Sequence, residues 1–72
     1  MIKEVLEKTI DEMVSKGILW HEAGAQFEKL FIIRVLRQQR GNVSKTAEVM
    51  DLHRNTLSKK VRLYSLDPSK FR

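Results

Sequence analysis

The 72-residue chain contains no cysteine and one proline, and its longest apolar run, residues 30–33, has four residues. The absence of cysteine excludes disulfides and thiolate metal sites, and His21 and His53 match no metal-ligand spacing. A run of four apolar residues is far too short for a membrane span or a signal peptide. We therefore expect a cytoplasmic protein that uses no metal and no other cofactor.

No catalytic pattern is present in the sequence. No serine has a histidine and an acid at a suitable spacing, and the three glycines do not form a phosphate-binding loop. We therefore expect neither enzymatic activity nor a small-molecule ligand. A chain this short buries only roughly 60% of the surface that it exposes when unfolded. In the absence of disulfides and metals, oligomerisation is the remaining way to enlarge its core.

The net charge of +5 is unevenly distributed. Residues 1–33 carry four lysines and six acidic residues, whereas residues 34–72 carry ten Lys or Arg and three acidic residues. The charge is therefore −2 in the first part and +7 in the second. A basic half suits a polyanion such as DNA, because Lys and Arg beside phosphates release condensed counterions. A solvated helical face explains the charge equally well, so charge alone does not decide.

Two helices are predicted in the first half of the chain. Residues 2–16 place apolar side chains on one face at the helical period, and Gly17 marks the end of this helix. In residues 22–40 the apolar side chains point in every direction around the axis, so this helix must be buried on more than one side. Wrapping by the chain itself is the alternative, but so short a chain has little material for it. We expect an identical chain to cover the outer side, through an interface of Phe27, Leu30, Phe31, Ile33, Arg34 and Val35. Trp20 is expected to pack on the core.

Residues 41–66 have the layout of a helix-turn-helix. Asn42 is a good N-cap for a short helix over residues 43–50. A turn at Asp51 and the residue after it leads to a second helix over residues 53–64. Two short helices joined by a few residues, one of them buried, are typical of this DNA-binding motif.

The second helix of the pair has one apolar and one polar face. Leu57, Val61 and Tyr64 define the face that is buried, and the opposite side carries guanidinium, amide, hydroxyl and ammonium groups. Such groups bind guanine edges, adenine edges and phosphates. From the residues themselves we predict DNA contacts by Ser44, Lys45, Arg54, Asn55, Thr56, Ser58, Lys59 and Arg62.

Residues 40–66 resemble the helix-turn-helix of the Fis (factor for inversion stimulation) family, which also occurs in the C-terminal domains of NtrC-type enhancer-binding activators. The shared elements are Gly41-Asn42-x-Ser44, Ala47, Leu52 and Arg54-x-Thr56-Leu57-x-x-Lys60-Val61. The resemblance implies four helices per chain, an intertwined homodimer built from the first two, and DNA that bends to meet closely spaced recognition helices. It also implies DNA contacts from Asn42, Ser44, His53, Arg54, Thr56, Ser58, Lys59 and Lys60.

The chain departs from the family pattern at several positions. Asp51 stands where the family usually has glycine, and Asp tolerates left-handed backbone, so the turn should form at some cost. His53 and Ser58 differ from the best-known member, so its base preference does not carry over. His53 suits a phosphate contact and a helix cap about equally. The chain starts at its first helix, so we expect no arm of the kind through which the founding member acts on DNA invertases.

We therefore predict an all-α, four-helix Fis-like domain with a C-terminal helix-turn-helix, assembled as an intertwined homodimer. The single domain, residues 1–72, comprises a two-helix dimerisation region (2–40), the helix-turn-helix (41–66) and a loose tail (67–72). Its expected function is sequence-specific binding of double-stranded DNA in the bacterial nucleoid, as a DNA-bending transcription regulator or nucleoid-associated protein. Two alternatives stay open: a helical protein–protein interaction module, and the excised DNA-binding domain of a larger sigma-54-dependent activator.

Overall fold

The computed structural model describes all 72 residues, which form helices and no strands. The elements in chain order are α1 (Ile2–Ser15), α2 (Trp20–Gln38), α3 (Val43–Val49), α4 (Arg54–Leu63) and a C-terminal 3-10 helix (Pro68–Phe71). The predicted all-α class and the order of four α-helices are confirmed. No helix combines the length and the apolar character that a bilayer crossing requires.

All four α-helices end in the same backbone arrangement. The residue after each C-cap has left-handed backbone, with φ of 73° at Gly17, 53° at Arg40, 55° at Asp51 and 55° at Ser65. The following N–H returns to a carbonyl five residues earlier, at N···O distances of 2.8 to 3.0 Å. This arrangement pairs carbonyl groups that a helix end otherwise leaves without a donor. Gly17 therefore ends α1 as predicted, and Asp51 tolerates the left-handed turn as predicted.

The core lies between the second half of α2 and the α3–α4 pair. Its buried apolar residues are Ile32, Leu36, Ala47, Leu57 and Val61. Ile32 and Leu36 are one turn apart and so lie on the same face of α2, as Leu57 and Val61 do on α4. Only seven of the 72 residues are buried in the single chain, and none of them belongs to α1. The apolar interior is therefore confined to the part of the chain that holds the helix pair.

A continuous part of the α1–α2 surface is apolar and exposed. On α2, Phe27, Leu30 and Phe31 are 59%, 58% and 48% exposed. A groove between the two helices is lined by side chains of both, among them Leu6, Ile10, Met13, Phe27 and Leu30. Arg34 is exposed and Ile33 is half-buried. The chain thus does not wrap α2 by itself, which was the alternative to a dimer.

Two residues of α2 lie elsewhere than predicted. Val35, expected in a dimer interface, is only 8% exposed and belongs to the buried residues of its own chain. It follows Ile32 by three positions and so shares the inward side of the helix. Trp20, expected on the core, begins α2 and is 93% exposed. Its place on the first turn, beyond the reach of the core, explains the difference.

The prediction of a loose tail at residues 67–72 is wrong. Pro68–Phe71 form a 3-10 helix that contacts α2, and the ring of Phe71 packs against the core. Asp67 caps this helix by accepting hydrogen bonds from the Ser69 N–H at 3.1 Å and the Ser69 hydroxyl at 2.7 Å. Proline suits the first position of a helix because its missing N–H is not needed there. Pro68 therefore begins an element within the segment that we expected to be a loose tail.

Gly41 lies where the 3-10 helix meets the end of α2. Its φ is 81°, and a Cβ added to it would collide with the backbone carbonyl oxygen of Pro68. Gly41→Ala is expected to lower the free energy of unfolding by roughly 2–3 kcal/mol, from backbone strain and displacement of the 3-10 helix. Gly17→Ala is the matched control, because Gly17 has φ of 73° and open space around it. Gly17→Ala should lower the free energy of unfolding only by the strain of the left-handed backbone, roughly 1–2 kcal/mol. Equal losses in urea unfolding would contradict the packing of the 3-10 helix on Gly41.

Candidate nucleic-acid interface

Helices α3 and α4 are joined by a tight turn that includes residues 51–53. Ala47 is 2% exposed where the two helices pack together, and its small side chain permits a close approach. Leu52, within the turn, packs against the core. A compact pair of short helices with a buried turn residue is the helix-turn-helix geometry that the sequence predicts.

The start of α3 carries three of the predicted contact residues. The Asn42 side chain caps the helix by accepting a hydrogen bond from the Lys45 N–H at 3.0 Å. Its amide nitrogen takes no part in that cap. Asn42, Ser44 and Lys45 are all exposed. A hydroxyl, an amide and an ammonium group are therefore available together at this end of the motif.

The start of α4 lies against α3 through a side-chain hydrogen bond. The Arg54 Nε donates to Ser44 Oγ at 2.8 Å. His53 is the N-cap of α4, and its Nδ1 accepts from the Asn55 N–H at 3.1 Å. The terminal N–H groups of Arg54 take no part in the bond to Ser44. The guanidinium is thus oriented by its Nε, and its terminal N–H donors remain outside this bond.

The outer face of α4 is polar and basic. Leu57 and Val61 face the core, whereas Asn55, Lys59 and Arg62 lie on the opposite side at the helical period. These three residues and Thr56 are exposed, and Ser58 is half-buried at the edge of the face. The face therefore presents amide, hydroxyl, ammonium and guanidinium groups away from the core, as the sequence predicts.

Lys60 lies apart from this set. It shares the inner side of α4 with Leu57 and Val61, and its Nζ donates to Glu28 Oε1 on α2 at 2.8 Å. Tyr64, the C-cap residue one turn beyond Lys60, donates its hydroxyl to the other Glu28 oxygen, Oε2, at 2.5 Å. Hydrogen bonds from Lys60 and Tyr64 lower the pKa of Glu28, and the bond to Glu28 raises the pKa of Tyr64. We refer to these three residues as the Glu28 clamp.

Sequence patterns did not predict the Glu28 clamp. Glu28 is 32 and 36 positions before its two partners. No local pattern marks it, because acidic residues on a helix beside an apolar stripe are common. The one available signal is the i, i+4 spacing of Lys60 and Tyr64 at the end of α4, which places both on one side of that helix.

The comparison with known families covers the part of the chain just described. The sequence pattern described as "Bacterial regulatory protein, Fis family" matches residues 25–64, which include most of α2 and all of α3 and α4. No curated protein and no solved structure matches the chain. The matched segment is more than half of the sequence and contains the helix-turn-helix, a DNA-binding fold. The chain therefore belongs to the Fis family of bacterial regulatory proteins.

Proposed function

We propose that the chain is a sequence-specific, DNA-bending regulator that acts as a homodimer and inserts α4 of each subunit into the major groove. The observation that carries this proposal is the division of α4 into two faces. Leu57 and Val61 are buried in the core, and the opposite face is exposed and basic. A major groove admits one α-helix, whose outward side chains then meet base edges and phosphates.

The roles of the residues follow from their chemistry and position. Arg54 and Asn55 lie in the first turn of α4, which enters a groove deepest, and their groups match guanine and adenine edges. Lys59 and Arg62 lie further along the exposed face and are placed for phosphates. The remaining contacts come from the edges of the motif: Asn42, Ser44, Lys45, His53, Thr56 and Ser58.

The homodimer is supported by the surface that the single chain leaves uncovered. Phe27, Leu30 and Phe31 expose about half of their area or more, and α1 buries none of its side chains. Contiguous apolar surface of this kind marks an interface in a soluble protein. A second copy is the occupant that a two-fold DNA site requires, because paired half-sites mirror the symmetry of a dimer. Closely spaced recognition helices would then bend the DNA, and the nucleoid is the expected location.

Binding to DNA is expected to weaken steeply with salt. Three basic side chains per subunit that form no ion pair and are placed for phosphates, those of Lys45, Lys59 and Arg62, suggest roughly six neutralised phosphates per dimer. The affinity for duplex DNA should therefore fall roughly a thousandfold or more between 50 and 200 mM salt, as measured by fluorescence anisotropy.

Matched lysine variants refine the salt titration. Lys45→Ala should reduce the slope of log affinity against log salt by about one unit for each phosphate that the variant no longer neutralises. Lys8→Ala, in the exposed and acidic first part of the chain, should leave the slope unchanged. A flat salt dependence, or no binding to any duplex, would contradict the proposal and favour a protein-interaction module.

A further inference from the structure

The Glu28 clamp joins the helix that carries the exposed apolar surface to the helix that faces DNA. Both carboxylate oxygens of Glu28 accept hydrogen bonds, and the donors lie one turn apart, on α4 and at its C-cap. A single contact would let α4 pivot about Glu28. Two contacts one turn apart along the helix axis restrict both the rotation and the tilt of α4 relative to α2.

The clamp also extends the apolar contact between the same two helices. Glu28, Ile32 and Leu36 follow one another at four-residue steps, so they lie along one side of α2. Ile32 and Leu36 pack in the core with Leu57 and Val61 of α4. Glu28 adds a polar contact one turn nearer the N-terminus of α2. The clamp therefore holds the C-terminal end of α4, where Lys60 and the C-cap residue Tyr64 are both partly buried.

The position of the clamp connects the recognition helix to the proposed dimer surface. Glu28 follows Phe27 directly, and Phe27 and Phe31 form a ring pair with centroids 5.6 Å apart. A pocket at this place is lined by Phe27, Phe31 and Lys60 together. The Lys60 and Glu28 side chains are 30% and 42% exposed. They are therefore partly shielded from solvent, so the pair is stronger than a fully exposed one.

We propose that Glu28 is a positioning residue, which sets the angle of the recognition helix relative to the dimer through Lys60 and Tyr64 and thereby selects the spacing of DNA half-sites. The proposal rests on the proposed function, namely binding of a dimer to paired half-sites. In such a dimer both subunits contribute α2 to the shared interface, which fixes the two α2 helices relative to each other. Any change of angle between α2 and α4 then moves the two recognition helices relative to each other. Each base-pair step shifts a half-site by about 3.4 Å along the DNA. A small change in the angle between α2 and α4 should therefore change the half-site spacing at which both recognition helices fit the DNA.

The test is selection from a library in which two fixed half-sites are separated by every spacing in single base-pair steps. Wild-type protein is expected to prefer one spacing. Glu28→Ala should reduce the preference for that spacing over its neighbours by about three- to tenfold, since it removes both restraints. Tyr64→Phe removes one hydroxyl and keeps the ring, so it should give a smaller loss. Glu28→Gln keeps the length and can still bond both partners, so it should restore most of the preference.

Glu22→Ala is the matched control, because it removes the same charge from the same helix at an exposed side chain that forms no ion pair. It should leave the spacing preference unchanged. A purely structural role for Glu28 would instead weaken binding at all spacings equally, without altering their ratio. Circular dichroism checks folding, and if Glu28→Ala fails to fold, Tyr64→Phe carries the test.

The outcomes separate the two proposals. Wild-type protein that binds no duplex overturns the proposed function and this inference with it. Wild-type protein that binds paired sites, with no preferred spacing or with a preference that Glu28→Ala and Tyr64→Phe leave intact, overturns the inference alone. An equal loss in Glu22→Ala would also overturn it, because the effect would then follow from charge and not from the clamp.

Discussion

Leu30→Lys is expected to unfold the protein at micromolar concentration, although Leu30 is 58% exposed in the single chain. In the proposed dimer the partner subunit covers this side chain. Covering a leucine contributes roughly 1.5–3 kcal/mol, and an ammonium group in its place adds a desolvation cost in each subunit. The single chain buries seven residues, none of them in α1, so a monomer should have little stability. Loss of the dimer should therefore be loss of the fold.

Sedimentation equilibrium and thermal unfolding measure this effect. Wild-type protein should sediment at about twice the 8.5 kDa chain mass, and its Tm should rise with protein concentration. Val49→Lys is the matched control, because Val49 is 55% exposed but lies on α3, away from the α1–α2 surface. Its effect should stay within about 0.5 kcal/mol, as for other surface substitutions. A well-folded monomer of the wild-type chain, or equal tolerance of both substitutions, would contradict the dimer.

Arg54→Ala is expected to weaken specific DNA binding by roughly 1–3 kcal/mol per half-site and to relax the preference at one base pair. The Nε of Arg54 is held by Ser44 Oγ at 2.8 Å, which orients the guanidinium at the start of α4. Its terminal N–H groups match O6 and N7 of guanine. A loss of this size is about 5- to 150-fold per half-site, and a dimer suffers it twice.

Lys59→Ala provides the contrast on the same helix. Lys59 lies on the exposed face beyond the first turn of α4, where the proposed docking brings a side chain to phosphate. Its removal should weaken binding to all sequences about equally and lower the salt slope by about one unit per phosphate contact. Selection from randomised duplex DNA with each variant separates the two roles. The proposed docking of α4 is contradicted if Arg54→Ala keeps every base preference while Lys59→Ala alters one.

Much of this fold was predictable because its signals are local. The end of α1 at Gly17, the cap at Asn42 and the turn at Asp51 each depend on a backbone preference or on a partner within five residues. The apolar and polar faces of α4 follow from the helical period alone. The exposed residues of the candidate interface were predictable for the same reason, because they lie on the side of the helix opposite its apolar face.

The tertiary structure decided what depends on distant partners. Phe71 packs on the core and makes an ordered element of a segment that looks like a tail, and Gly41 acquires its close neighbour only because Pro68 returns to it. Val35 is buried within its own chain, on the same side of α2 as the core residue Ile32. Lys60, for which the family resemblance implies a DNA contact, instead bonds Glu28, which lies 32 positions before it. Residue types and periodicity determine which side of a helix turns inward, but only the packing of helices against one another determines which side chains meet there.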